Sequence, residues 1–347
     1  MHELPPHRRI LVLTEGQLGV YTSKTAACLL RYRASDVVGV IDSVSAGQDL
    51  VVAIPWAQPL PILPSVATAA DLRPDAVYIG IAPVGGALPP AMRAHALAAL
   101  HAGLYLVSGL HEFLADDPEL AAAAVAGGGR IHDLRRPPNS RMVASGRALT
   151  TRCRRVLTVG TDCNVGKMVA SVELVAAARS RGLDARFVAT GQTGIMVAGR
   201  GVAIDACVAD FAAGAVERQV LDVADADLCV VEGQGSLGHP GFSGVTLALL
   251  HGVCPDTLVL VHQLGRTHYK APPHSPLPPM ERLRAAYEQA AALLHPARVA
   301  AVALNTLGVA DAEAARAVVE LESRLGVPVA DPVRNGSDRL LSAILDR

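Results

Sequence analysis

Gly160-Thr-Asp-Cys-Asn-Val-Gly166-Lys167 follows a short apolar run at 156–159 and opens onto Met168-Val-Ala-Ser-Val-Glu-Leu-Val-Ala-Ala-Ala178. The apolar run predicts a buried strand and the alanine-rich continuation a helix, with the glycine-rich stretch as the turn between them. A strand, a glycine-rich turn and a helix N-terminus in that order make an anion cradle. The glycines let backbone N–H groups turn inward, the helix dipole adds partial positive charge, and Lys167 supplies a full one. A phosphate-bearing ligand is therefore expected at this turn. In nucleoside triphosphatases the residue after the loop lysine is serine or threonine, whose hydroxyl ligates magnesium. Here it is Met168, a thioether that a hard, oxygen-seeking ion does not accept. The loop can hold phosphates, but one support for metal-assisted phosphoryl transfer is missing. A ligand that keeps its pyrophosphate intact, such as coenzyme A or a dinucleotide, tolerates that change.

Working outward, 347 residues are enough for two domains of ordinary size. The formal net charge of −1, without a dense Lys/Arg run, argues against a nucleic-acid partner. The cysteines (28, 153, 163, 207, 229, 254) form no Cys-x-x-Cys pair and no zinc spacing, so they are expected to be reduced thiols of a cytoplasmic protein, and no metal site is assigned. The start of the chain lacks the apolar core of a signal peptide, and Gly, Pro or charge interrupts each apolar span, so no membrane association is expected.

Both halves alternate strand and helix, which implies α/β architecture: two doubly wound parallel-sheet domains covered on both faces. In the first half strands are expected at 9–14, 37–41, 76–80 and 105–108, and helices at 23–31 and 90–102. Asp42 ends the second strand beyond the Gly16-Gln-Leu-Gly19 turn, as in dinucleotide-binding folds. That turn is not a full Gly-x-Gly-x-x-Gly, so a Rossmann-like domain that is structural or lines the substrate site is favoured over NAD binding. Ala82-Pro-Val-Gly-Gly86 and Gly109-Leu-His-Glu112 follow strands; they either line a cleft facing the second domain or serve as turn chemistry, with a helix cap at Asp116-Asp117-Pro118. Prolines and lost periodicity at 134–153 mark the inter-domain connection, with the boundary near 150, giving domains 1–150 and 151–347. In the second half, strands are expected at 186–190, 228–231, 257–261, 299–304 and 327–331, with a turn at 191–194 and a polar helix at 205–216. The run at 228–231 delivers Glu232 to the carboxyl edge, as a Walker B element does. The proline-rich stretch 266–279 is a candidate lid or interface loop.

The second half resembles dethiobiotin synthetase and its P-loop relatives through Gly160-Thr-Asp-x-x-Val-Gly-Lys167, Val231-Glu-Gly-Gln-Gly235, Gln192-Thr-Gly194 and Leu304-Asn305. It departs from them at Met168 and at Ala189-Thr190, where the synthetase carries Lys-Pro, and both departures weaken an ATP-driven ligation. A resemblance over nearly the whole chain rests on Ile79-Gly-Ile-Ala-Pro-Val-Gly-Gly86, Ser108-Gly-Leu-His111, Gly160 through Met168, Ala189-Thr-Gly-Gln-Thr-Gly-Ile195 and Glu232-Gly-Gln-Gly-Ser236. These motifs are similar to those of a bacterial family long catalogued as a domain of unknown function (1611), with a Rossmann-like N-terminal and a P-loop C-terminal domain. Its members act as N-acetyltransferases on D-glutamate. The Lys167-Met168 pair is part of that family's pattern and suits acetyl-CoA, whose pyrophosphate needs cradling but not cleavage. The resemblance implies an acetyl-CoA-dependent amino-acid N-acetyltransferase with a small-molecule amino-acid substrate. A homo-oligomer is expected by analogy with P-loop relatives that complete their sites across a dimer.

Amide formation from a thioester needs a neutral amine, a stabilised tetrahedral oxygen and a departing thiolate. Gly160, Thr161, Asn164, Val165, Gly166, Lys167 and Met168 are assigned to the phosphate cradle, with Cys163 in the loop and Asn305 at the neighbouring strand end. Glu232 is the first candidate general base, with His239 and His262 as alternatives and Asp162 either orienting the amine or bracing the loop. Cys163 is read as a small loop residue rather than a transient acetyl acceptor. Candidate holders of substrate carboxylates are Arg200, Arg266, Gln192, Thr193, Gln234 and Ser236. Two other readings stand beside the transferase. An ATP- and Mg2+-dependent ligase or kinase would use Glu232 as a magnesium carboxylate and Asn305 as a base reader, and a nucleotide-sensing scaffold would need no chemistry.

Overall fold

A computed structural model of the chain describes residues 1–83, 85–137 and 141–346. Val84 of the stretch 82–86 and residues 138–140 of the expected connection lie outside the described residues. The strands are β1 (His2–Glu3), β2 (Ile10–Leu13), β3 (Val37–Ile41), β4 (Ile62–Leu63), β5 (Ala76–Ile79), β6 (Tyr105–Ser108), β7 (Arg130–Asp133), β8 (Arg154–Gly160), β9 (Ala185–Val188), β10 (Arg200–Gly201), β11 (Leu228–Val231), β12 (Thr257–Gln263), β13 (Arg298–Asn305) and β14 (Val329–Ala330). The helices are α1 (Lys24–Tyr32), α2 (Leu50–Ala53), α3 (Pro90–His101), α4 (Pro118–Gly127), α5 (Lys167–Ser180), α6 (Gln192–Ala198), α7 (Ala209–Leu221), α8 (Ser243–Val253), α9 (Met280–Ala292), α10 (Asp311–Leu325) and α11 (Asp338–Leu345). None of the described helices is long and apolar enough to cross a membrane.

Two compact units emerge: His2–Pro137 with Ile195–Ala206, and Pro138–Gly194 with Cys207–Arg347 and Met1. The division thus precedes the expected boundary near 150. Its physical cause is the buried Glu217 of α7, whose carboxylate accepts hydrogen bonds from Ser145 N, Ser145 Oγ and Arg147 N and so fastens that stretch to the second unit. The segment Ile195–Ala206 belongs to the first unit, where β10 pairs antiparallel with β1.

The first unit holds a parallel sheet in the order β4-β3-β2-β5-β6-β7. This order is that of dinucleotide-binding folds, and Leu11, Leu13, Val77, Ile79 and Leu106 fill its core. Asp42, however, is wholly buried: Oδ2 accepts from Thr14 Oγ1 and Gly16 N, both at 2.9 Å, and Oδ1 from Ser45 N at 3.0 Å. It braces the turn instead of presenting a carboxylate to a ribose. The turn reading also accounts for Gly109-Leu-His-Glu112, since His111 N and Glu112 N both donate to Gly86 O. Asp117 caps α4 as expected, accepting from Glu119 N and Leu120 N.

The second unit holds a parallel sheet in the order β14-β13-β12-β8-β11-β9. From β8 the chain passes to the far edge at β9, returns to β11, then crosses to β12 on the other side. Such a switch point opens a crevice at the carboxyl ends of the strands, and the loop 160–167 lies there. The expected turn at 191–194 is instead the beginning of α6, and the expected polar helix begins at Ala209, after a single 3-10 turn at Ile204–Ala206.

Helices α7 and α8 cover one another through glycine. A Cβ at Gly252 would lie 2.4 Å from Ala213 O and 2.7 Å from Val216 Cβ, whereas one at Gly244 of the same helix would meet nothing within 4 Å. Gly252→Ala is expected to lower unfolding free energy by about 1–3 kcal/mol through overpacking. Gly244→Ala should be neutral or stabilising by up to about 1 kcal/mol through helix propensity. Denaturant unfolding of the two variants checks the opposite signs.

Candidate active site

The phosphate loop grows out of a buried strand. Residues 155–160 of β8 are all buried, and Thr161 N donates to Val261 O of β12 at 3.0 Å. Asn164 (φ 55°) and Gly166 (φ 114°) are left-handed, which bends the chain back so that α5 starts at Lys167. Lys167 is buried, and its ammonium donates to Asp162 O at 2.8 Å. A Cβ on Gly160 would sit 2.8 Å from that nitrogen, so the missing side chain leaves room for the lysine to lie back over the loop. Tyr287 of α9 underpins the turn: its buried hydroxyl donates to Gly160 O at 2.8 Å and accepts from Leu237 N at 2.9 Å. Burial pushes that hydroxyl up to about 12. Asn305 braces the other side, donating from Nδ2 to Val165 O at 3.2 Å and accepting Leu307 N at Oδ1. Met168 follows on the buried first turn of α5. The loop, the N-terminus of α5 and the Lys167 ammonium thus lie together, the elements an anion site requires.

Asp162 is fully buried and ties this loop to the proline-rich stretch. Oδ1 accepts Cys163 N at 2.6 Å; Oδ2 accepts both Arg266 Nη1 and Lys270 N at 2.8 Å. Arg266 also donates to Cys163 O at 3.1 Å and to Gln263 Oε1 at 2.7 Å. Its guanidinium is thus engaged by the loop and by Gln263. The stretch is a latch with a fold of its own: Leu277 N donates to Thr267 O and Tyr269 N to Ser275 O, and Tyr269 Oη donates to Gly238 O at 2.6 Å.

The four acid–base candidates separate on their hydrogen bonds. Asp162 braces the loop. His239 is buried, donates from Nε2 to Ala271 O at 2.6 Å and accepts Gly241 N at Nδ1, while its ring packs against Phe242 and Tyr269. Both ring nitrogens are engaged by backbone. Glu232, also buried, accepts Thr190 N at 3.0 Å and Gly191 N at 3.1 Å on Oε2. Gly194 is bare where a Cβ would lie 2.2 Å from that oxygen, so the start of α6 closes tightly over the carboxylate. His262 differs from these. It is the penultimate residue of β12 and half-buried, with Nδ1 2.9 Å from Thr161 Oγ1. Burial, with Arg266 and Arg324 adding positive charge, lowers it to about 4, so the ring is neutral at physiological pH.

Ser236 donates to Thr161 O at 3.2 Å, and Gln234 Nε2 donates to Thr190 Oγ1 at 3.3 Å. Gln192 and Thr193 are buried at the start of α6. Arg200 belongs to the first unit, on β10 opposite Glu3. Asp162, Cys163 and His239 bring one donor atom each within 4.8 Å of one another. Tyr287 and Lys270 were not singled out from the sequence, since no local motif marks them.

A family model described as "Domain of unknown function (DUF1611_C) P-loop domain" matches residues 142–341, and "Domain of unknown function (DUF1611_N) Rossmann-like domain" matches residues 43–137. The chain belongs to the DUF1611 family. The crystal structure of a DUF1611 protein from Anabaena variabilis is 43% identical, covers 98% of this chain and 100% of its own, and superposes with a TM-score of 0.93. A D-glutamate N-acetyltransferase from Tritonibacter scottomollicae is 41% identical over 77% of this chain and 80% of the relative. One from a Pseudoalteromonas species is 38% identical over 80% and 83%. The DUF1611 chain described here is accordingly an enzyme of the acyltransferase class.

His262 has a measurable signature. Its folded-state pKa lies below the ordinary 6.5, so the unfolded chain binds more protons between about pH 4 and 6.5. Stability from this group is complete above 6.5 and is lost as pH falls toward 4. Denaturant unfolding across that window should show a slope that His262→Asn reduces. An NMR titration of the ring near 6.5 in the folded protein would contradict this.

Proposed function

We propose that the protein transfers the acetyl group of acetyl-CoA to the amino group of an amino acid, foremost D-glutamate, with the phosphate loop holding the diphosphate of coenzyme A. The observation that carries this reading is a complete anion cradle, with Lys167 folded into it, followed by a buried thioether at Met168. Glu232 adds support, because Oε2 is directed at the amides of Thr190 and Gly191. The positions that would handle magnesium in a nucleoside triphosphatase thus carry a methionine and a carboxylate hydrogen-bonded to backbone. A donor held through its phosphates and cut elsewhere suits that chemistry. The curated D-glutamate N-acetyltransferases at 41% and 38% identity supply the amino acid.

Bound acetyl-CoA supplies an activated thioester carbonyl. The loop amides and Lys167 hold phosphate oxygens and fix the donor's position. His262 serves as general base. With Nδ1–H donated to Thr161 Oγ1, Nε2 carries the lone pair and takes the proton that the attacking amine sheds as its C–N bond forms and the C–S bond breaks. The low pKa of the free ring suits a base that must start neutral, and a bound anionic donor would raise it toward a more effective value. Thr161 fixes the ring, while Glu232 fixes the Thr190–Gly191 backbone that leads into Gln192 and Thr193.

A thiol-release assay tests the reading. Acetyl-CoA with D-glutamate should release free thiol, faster than with L-glutamate and unchanged by EDTA. Lys167→Ala should raise KM for acetyl-CoA, and His262→Asn should lower kcat by about 10²–10⁴-fold. Magnesium-dependent ADP release from ATP, without thiol from any amino acid, would overturn it.

A further inference from the structure

The latch at 266–279 carries Arg266, His268, Lys270 and His274 and no acidic residue. Its cations have different fates. Arg266 is turned onto Asp162, Cys163 O and Gln263. Lys270 has its backbone N–H fixed at 2.8 Å on Asp162 Oδ2 inside the phosphate loop, while its side chain is exposed. Its neighbours are pinned as well, Tyr269 through its hydroxyl on Gly238 O and Ala271 through its carbonyl on His239 Nε2. The root of the Lys270 side chain is thus held at the third residue of the loop, and the side chain is exposed. Of the nearby basic groups, Lys167 is drawn inside the loop, Arg266 is engaged, and His262 is neutral.

Resting on the coenzyme A reading above, we infer that Lys270 recognises the 3′-phosphate of the donor and makes the site selective for coenzyme A over nucleotides that lack it. Coenzyme A carries two anionic groups on one ribose, the 5′-diphosphate and the 3′-phosphate; ATP and ADP carry only the first. A loop that holds the diphosphate brings the 3′-phosphate to its rim, and a cation rooted in the loop's own hydrogen-bond network suits that second anion. Lysine acts here as a point charge on a flexible stem, which does not require a fixed phosphate orientation. The basic, acid-free latch surrounds it with a field of the same sign.

The test compares acetyl-CoA with acetyl-3′-dephospho-CoA as donors in thiol release with D-glutamate, using the full chain. For the native protein the dephospho donor should show KM higher by on the order of tenfold, the size of one charge-assisted contact. In Lys270→Ala, which keeps the backbone N–H on Asp162, the ratio of the two KM values should collapse toward one. Lys270→Arg should retain most of it. Equal KM values for both donors in the native protein would overturn the inference and leave the coenzyme A reading standing. So would a rise in KM for D-glutamate alone in Lys270→Ala, which would assign the lysine to the amino acid. Absence of thiol release with either donor would remove the coenzyme A reading and this inference with it.

Discussion

A carboxylate without solvent contact, Asp162, holds the active region together. Buried charge is tolerated only when it is paired and hydrogen-bonded, and Asp162 meets that demand with Cys163 N, the Arg266 guanidinium and Lys270 N. The phosphate loop and the latch are thus stabilised as one object. Through the latch the same carboxylate determines where His239 finds its backbone acceptor, Ala271 O, and where Tyr269 reaches Gly238. Removing its partners would leave a charge with no water to solvate it, so the loop has little freedom to adopt another shape.

The loop has a second layer of support underneath. Tyr287 holds Gly160 O and Leu237 N, Ser236 reaches Thr161 O, and Asn305 reaches Val165 O. Side chains of α9, the segment after β11 and the end of β13 thereby converge on one turn. Preorganisation of this kind lets backbone N–H groups meet an anion without reorganising. It also limits other roles: Asn305, with both ends of its amide in contact with backbone, is a brace before it is a reader of a base.

The sheet strands and the phosphate loop were legible in the sequence because they depend on local signals: apolar runs of strand length, a glycine-rich turn and a helical continuation. The short strands β1, β4, β10 and β14 were not legible or were misjudged in length, since two residues carry no periodicity, and β7, whose Arg130-Ile-His-Asp133 holds a single apolar residue, was not expected either. The unit boundary was misplaced because the residues that fasten 145–150 to the second unit lie on α7, at Glu217. Among the acid–base candidates, sequence position ranked Glu232 first, as the carboxylate at a strand end. The hydrogen bonds that Glu232 accepts from Thr190 N and Gly191 N, 42 and 41 residues away, are a long-range property that sequence position does not carry. The same holds for Arg266, which looks like a carboxylate clamp in the sequence and turns inward onto Asp162 104 residues away.

Whether this P-loop holds an intact diphosphate without magnesium-assisted phosphoryl transfer is tested most directly by titration calorimetry of the purified chain with coenzyme A and with ADP, each with and without magnesium. Saturable coenzyme A binding that EDTA leaves unchanged and Lys167→Ala weakens is expected, with ADP weaker and no better in magnesium. Tight ADP binding that requires magnesium, together with no heat from coenzyme A, would contradict it.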